Sequence, residues 1–388
     1  MERTLKLTPE HEMLRTTFRK FVDNEIVPNY AQWEKDKIVP REVFKKMGDL
    51  GFLCPWAEEK YGGVSTGWAK GNPVPDIIPD MIMMEELGWR SVIGVFSHLH
   101  NFMTSPYIDT YGNDEQREKW LPGLVSGEKI CAIAMTEPGT GSDLGAVRTK
   151  AVRDGDDYII NGSKTFISNG VLADVVIVVC RTGEGYKGLS LIVVERGTSG
   201  FERSKPIPKI GLHPQDTATL YFEDCRVPAA NLLGQEGDGW GQLMSKLQPE
   251  RLCGCQLSTA MAERAVQLAV QYSQERQIFG KSLGSFQNTQ FVLAECATKA
   301  QICRTFTDTM IVNYMNGQDI TQEVSMGKYW VCETAIEVAS KCLQIFGGYG
   351  YCEEYEISRI YDDSRVFTIL AGSTEVMKLI VSRGLGVK

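Results

Sequence analysis

A chain of 388 residues that is 43% hydrophobic and 23% charged has the balance of a soluble globular protein, with length for two or three domains of roughly 150 residues each. Its longest apolar run, Val175 to Cys180, falls far short of the ~18 residues of a membrane span, and a net charge of -8 argues against nucleic acid as the main partner. The opening Met1-Glu2-Arg3-Thr4 lacks the apolar core of a secretory signal, and eleven cysteines contain no C-x-x-C pair, so the chain reads as a cytoplasmic protein with reduced core cysteines and no metal site.

Residues 1 to 128 have helical character. Thr8 followed by Pro9 is a helix start, and Met13, Leu14, Phe18, Phe21, Val22 and Ile26 recur at helix spacing until Pro28, which is expected to end the stripe. Residues 129 to 233 switch to strands: Val175 to Cys180, Leu189 to Val194 and Ala218 to Phe222 are β-rich, with Asp154-Gly155-Asp156-Asp157 and Asn161-Gly162 as turn signals between such runs. From residue 234 to 388 the helical period returns, punctuated by Asn316-Gly317 and Gly347-Gly348, as in a helical bundle.

Within this frame Cys131 to Met135 reads as a buried strand feeding the turn Thr136-Glu137-Pro138-Gly139-Thr140-Gly141-Ser142-Asp143. Exposed N–H groups in such a turn can cradle a phosphate or a carbonyl oxygen. Gly139, Gly141 and Gly145 miss the G-x-G-x-x-G spacing by one residue, so a nicotinamide-type Rossmann site fails on the motif itself. Further along, Glu275 to Lys281 closes a helical run through Ala265, Val266, Leu268, Ala269 and Tyr272, with Arg276 and Phe279 expected on one helix face. Gln344 to Gly350 then puts two glycines where backbone can approach a ligand closely.

Taken together, four ordered motifs resemble the acyl-CoA dehydrogenase family over essentially the whole chain: Ala134 to Asp143, Asn161 to Gly170, Arg276 to Lys281, and Gln344 to Gly350. The resemblance implies an α+β subunit with an N-terminal all-α domain, a middle β-barrel or sandwich-like domain and a C-terminal four-helix bundle. It also implies a non-covalent FAD and a homotetramer in which a neighbouring subunit contacts the cofactor. By the same carry-over Met135, Thr136, Gly141 and Ser142 line the isoalloxazine and pyrophosphate, with Ser142 also near the CoA side. Phe166 is the aromatic packed on the flavin, next to Ile167, and Ser168 is the hydroxyl near N5, where the family often has Trp and Thr. Arg276, Phe279, Gln287, Gln344, Gly347 and Gly348 hold the ADP half across the subunit interface, while Ser373 and Glu375 lie toward FAD.

The family chemistry needs a base to take the proton alpha to the thioester while a hydride leaves the beta carbon. An unperturbed Glu is weak at that task, so a desolvated carboxylate is required. Much of the family carries it in a Tyr-Glu-Gly-Thr-like segment, which here is Leu370-Ala371-Gly372-Ser373. Long-chain and isovaleryl-type members instead place it in a Glu-Arg-Leu step on a bundle helix, matched by Glu250-Arg251-Leu252. Glu250 is therefore the expected base and Arg251 its electrostatic support and substrate-side contact. Ala371 and Gly372 keep the substrate-side role of a backbone donor to the thioester oxygen.

Two departures from the pattern put the pocket's shape in question: Asp362 stands where Arg is common, and Leu370 where Tyr is. The connection around residues 69 to 76 is longer than expected and reads as passive surface, with trimming of the acyl pocket as its rival role. His98 and His100, near a helix expected to border the pocket, are read as packing residues. The resulting function is dehydrogenation of an acyl-CoA to the 2-enoyl-CoA with electrons passed to an electron-transferring flavoprotein. An oxidase using O2 and a catalytically silent FAD or CoA binder are the alternatives, and the acyl group itself is open.

Overall fold

The computed structural model describes residues 3–65 and 76–387; the connection at 69 to 75 lies outside them. The N-terminal layer is helical: α1 (Pro9–Phe21), α2 (Val27–Asp36), α3 (Arg41–Asp49), α4 (Ile78–Trp89), α5 (Ser105–Tyr111) and α6 (Asp114–Val125). Thr8 caps α1, its hydroxyl accepting from the His11 N–H, and Pro9 occupies the first turn. Pro28 does not end the first stripe. A π-turn at Val22–Ile26 re-phases the backbone, and Pro28 then sits in the first turn of α2, where its missing N–H does no harm.

Eight strands follow in one sheet: β1 (Cys131–Ala134), β2 (Lys150–Asp154), β3 (Asp157–Ile167), β4 (Val175–Arg181), β5 (Leu189–Glu195), β6 (Phe201–Arg203), β7 (Ala218–Pro228) and β8 (Leu232–Leu233). Their order is β6-β7-β3-β2-β4-β5-β8, with β1 paired parallel to β4. β4 and β5 are buried along almost their whole length and read as continuous apolar runs for that reason. Gly155 makes the β2–β3 turn at φ 60°. Asn161-Gly162, by contrast, is no turn: it lies inside β3 at a register shift against β7, where a Cβ on Gly162 would stand 2.6 Å from the Thr149 hydroxyl oxygen.

The C-terminal region packs α7 (Gly239–Glu275), α8 (Gln287–Met315), α9 (Thr321–Phe346), α10 (Glu356–Ser364) and α11 (Thr374–Gly384), with α7 against α8, α9 and α4. Buried charge ties the layers together. Arg304 on α8 pairs with Glu85 on α4 and Glu263 on α7, Arg3 bridges Glu85 and Asp308, and Arg359 on α10 pairs with Glu34 on α2. A long loop from β6 to β7 returns to the bundle where the Leu212 N–H donates to Asp363 at 2.5 Å. Ten of the eleven cysteines are buried as free thiols, and Cys352 is exposed.

Candidate active site

The strand-to-turn motif is shaped by one buried ion pair. Lys164 of β3, with no exposed side-chain surface, donates to Glu137 at 2.9 Å and to the Met135 carbonyl at 3.0 Å. Glu137 also accepts the Arg148 and Thr149 N–H groups, both at 2.8 Å, which holds its carboxyl below the usual range despite burial. The 137–140 turn closes on itself through the Glu137 and Thr140 backbones. At the far end of β3 a second register shift lies between Lys164 and Ile167, and there the Thr165 N–H turns to the Thr136 carbonyl at 2.8 Å. Phe166 is left at φ 58° and 64% exposed. An aromatic ring held out of the core at a bulge is what a planar ligand can stack on.

Glu250 follows Pro249 inside α7, where the proline removes the N–H that would bond the carbonyl one turn back. The carboxyl is buried, and burial pushes its pKa up to about 8. Its partner is the Tyr107 hydroxyl of α5, which donates to Oε1 at 3.0 Å. Tyr107, absent from the sequence reading, is itself fully buried. Arg251 is buried too; it reaches Ser325 at 3.5 Å, and its Nε has no partner.

The loop after α10 carries Ala371 at φ 52° and Gly372 at φ 99°. Lys328 of α9, wholly buried, holds it by donating to the carbonyls of Phe367 (2.5 Å), Leu370 (2.6 Å) and Gly372 (2.8 Å). A Cβ on Gly372 would stand 3.9 Å from the Arg251 Nε, so Arg251 lies beside this loop. Ser373 caps α11 by accepting from the Val376 N–H, Glu375 is exposed in its first turn, and the buried Thr374 hydroxyl is unpartnered.

These elements enclose a cleft of about 810 Å³, part of it open to solvent. Met135, Thr136, Phe166, Ile167, Ser168, Glu250 and Ala371 line it together. So do residues sequence reasoning missed or took for packing: Phe96, His98, Leu99, Met103, Cys253 and Phe367. No motif carries these; Phe96, His98, Leu99 and Met103 reach the cleft from the segment before α5, Cys253 from α7, and Phe367 from the turn after α10. Gly141 and Ser142 are exposed on the neighbouring turn rather than in the cleft wall.

A separate groove is lined by Tyr272, Arg276, Ile278, Gly347, Gly348 and Tyr349. Arg276 and Phe279 are not on a helix face. α7 stops at Glu275, and Arg276 leads into a two-strand hairpin, Gln277–Ile278 with Lys281–Ser282, whose turn puts Phe279 at φ 47° and 92% exposed. Gln287 opens α8 and Gln344 lies in the last turn of α9, both exposed; neither lines this groove.

A buried carboxyl with a raised pKa facing a largely apolar cleft, beside an exposed aromatic ring and rigid backbone turns, is an arrangement chemically suited to proton abstraction next to a planar ligand. The chain matches the acyl-CoA dehydrogenase N-terminal domain over residues 8–128, the middle domain over 132–225 and the C-terminal domain over 237–386. It is similar to the mitochondrial long-chain specific acyl-CoA dehydrogenase of Sus scrofa, with 40% identity over 96% of this chain and 86% of that protein. Among solved structures it is similar to an acyl-CoA dehydrogenase from Geobacillus kaustophilus, at 48% identity and TM-score 0.94, covering 99% of this chain and all of that one. It is also similar to a chain of a solved structure described as the electron transferring flavoprotein of Acidaminococcus fermentans, at 34% identity and TM-score 0.91 over 98% of each.

The chain therefore belongs to the acyl-CoA dehydrogenase family, and is an FAD-dependent oxidoreductase that dehydrogenates acyl-CoA thioesters. Its residues suit FAD. Phe166 stands exposed in the cleft, Arg276 lines the second groove over the Tyr349 ring at 5.9 Å, and a Cβ on Gly347 or Gly348 would meet nothing within 4 Å. Among the described residues no helix is long and apolar enough to cross a membrane.

Proposed function

We propose that Glu250 is the base of an α,β-dehydrogenation that converts a saturated acyl-CoA to its 2-enoyl-CoA. The observation that carries this reading is the raised carboxyl, held at about 8 by burial and turned into the cleft that Ala371 also lines. FAD, when bound, supplies the hydride acceptor. Tyr107 holds Oε1 of Glu250 in place. The αL backbone at Ala371, kept rigid by Lys328, presents an N–H toward the thioester oxygen, and charge developing on that oxygen in the transition state is where a fixed donor contributes most. The apolar wall excludes water from the alpha carbon.

Arg251, buried beside Gly372, supports the anionic form of Glu250 and the substrate side of the loop. Ser168 and Thr136 lie toward the reactive edge of the flavin, and Gly141 and Ser142 toward the pyrophosphate. Arg276, Phe279, Gln287, Gln344, Gly347 and Gly348 form the ADP subsite, which serves a neighbouring subunit of a homotetramer. The domains fall at 1–128, 129–233 and 234–388. Electrons leave to an electron-transferring flavoprotein, a reading favoured by the likeness to the Acidaminococcus chain.

The decisive experiment is anaerobic stopped-flow reduction. Glu250→Gln keeps the size and burial of the side chain and removes its basicity, so FAD and acyl-CoA binding persist while flavin reduction falls at least ~100-fold. Near-wild-type reduction would exclude Glu250 and send the search to Glu375 or another carboxylate. Oxygen consumption without an added acceptor would favour an oxidase.

A further inference from the structure

Two histidines two residues apart have opposite surroundings. His100 is fully satisfied: its Nε2 donates to the Leu124 carbonyl at 2.9 Å, and its Nδ1 accepts the Cys131 N–H at 3.1 Å. That pairing joins the turn before α5 to β1 and is structural. His98 is 4% exposed, and its ring is fixed against Phe96 with centroids 4.4 Å apart. Its Nδ1 is buried without a hydrogen-bond partner among the described residues. Burial alone pushes its pKa down to about 3, so it is a neutral imidazole at physiological pH.

His98 lines the same cleft as Glu250, in a largely apolar wall that includes Phe96, Leu99, Met103, Ile133, Phe367 and Leu370, with Thr136 and Ser168 as its other polar side chains. A buried polar group left unpaired carries a desolvation penalty that a ligand can remove. A saturated alkyl chain filling the cleft cannot remove it.

Resting on the reading of this cleft as the acyl-CoA site, we propose that His98 is a specificity residue, and that the preferred acyl chain bears an uncharged hydrogen-bonding substituent, a hydroxyl or carbonyl oxygen, beyond its beta carbon. A neutral imidazole donates from one nitrogen and accepts at the other, so it serves either oxygen. A chain ending in a carboxylate is disfavoured. Among the described residues the cleft wall contains no Lys or Arg to neutralise it, and it would share a largely apolar space with the carboxyl of Glu250.

The test uses the FAD-loaded enzyme and pairs of acyl-CoAs of equal length, one saturated and one carrying a single hydroxyl or oxo group at C4 or beyond, with ω-carboxyl thioesters as the charged arm. The wild type is expected to favour at least one uncharged polar member over its alkyl counterpart by about tenfold or more in kcat/KM, since sites built for a hydrogen bond reject the analogue lacking it. His98→Leu removes or reverses that preference, and His98→Asn, which keeps a donor and an acceptor, retains part of it.

The same pairs are titrated calorimetrically into Glu250→Gln, where the preference persists in Kd without any proton abstraction, so failure of Glu250 as the base leaves this result readable. Equal or better use of every alkyl member by the wild type would overturn the proposal. So would a ratio unmoved by His98→Leu, or a preference for the ω-carboxyl thioesters.

Discussion

At the scale of single residues, the site depends on a carboxyl kept out of water with one donor on it. Burial raises the Glu250 pKa, while the Tyr107 hydrogen bond favours the ionised form and opposes that rise. The base acts when ionised, so kcat/KM is expected to climb with pH through about 8 and level off above it. Tyr107→Phe deletes the donor, pushes the carboxyl pKa further up, and moves the rising limb roughly one pH unit higher, as expected for losing a hydrogen bond to a charged group. A pH profile of flavin reduction measures this. A limb that stays in place would make Tyr107 a packing residue only. The tyrosine was invisible in the sequence because nothing in Pro106-Tyr107-Ile108 distinguishes a core aromatic from one aimed at a carboxylate 143 positions away.

At the scale of elements, the site is an agreement between α7 and the loop before α11. Lys328 turns three carbonyls of that loop inward, which leaves Ala371 in the left-handed region with its Cβ at the cleft wall. Because Glu250 and Ala371 line one cleft from different elements, moving the carboxylate between them is a test of geometry. Glu250→Gln combined with Ala371→Glu is expected to recover roughly 1–10% of wild-type reduction, where Glu250→Gln alone falls below that range. No recovery would mean that the two positions do not reach the same alpha carbon. The left-handed backbone at Ala371 bears on this double variant, since Glu has a Cβ at φ 52° as Ala does and adds no new backbone strain.

For the molecule as a whole, one subunit carries two separate grooves: the cleft between the N-terminal helices, the sheet and the bundle, and the groove around Arg276 at the end of α7. Phe279 is 92% exposed on its hairpin, and Arg276 lies in this groove over the Tyr349 ring. If Arg276 binds the phosphates of a cofactor shared with a neighbouring copy, Arg276→Ala weakens FAD binding by about 10- to 100-fold, the worth of a charge-assisted contact. The protein would then purify with sub-stoichiometric flavin. Retention of full flavin after gel filtration would remove Arg276 from the cofactor site, and the mass of the eluted species tests the tetramer separately.

What the sequence determined by itself was whatever is carried by local pattern or by an ordered motif. The short, β-branched apolar runs at Val175 and Leu189 read as buried strands, helix spacing marks the layers before and after them, and the Glu250-Arg251-Leu252 step stands out because Ala371 lacks a carboxylate. Local signals misled where tertiary packing overrode them. Pro28 was absorbed by a π-turn, Asn161-Gly162 became a bulge inside β3, and Arg276 left its helix for a hairpin. Only the folded chain could decide which of two neighbouring histidines is satisfied and which lines the cleft with its Nδ1 unpaired, or that Tyr107 and Lys328 hold the Glu250 carboxyl and the loop. Those outcomes are set by partners 24 to 143 residues away in the chain, and a hydrogen bond across such a separation leaves no period, spacing or composition in the sequence to read.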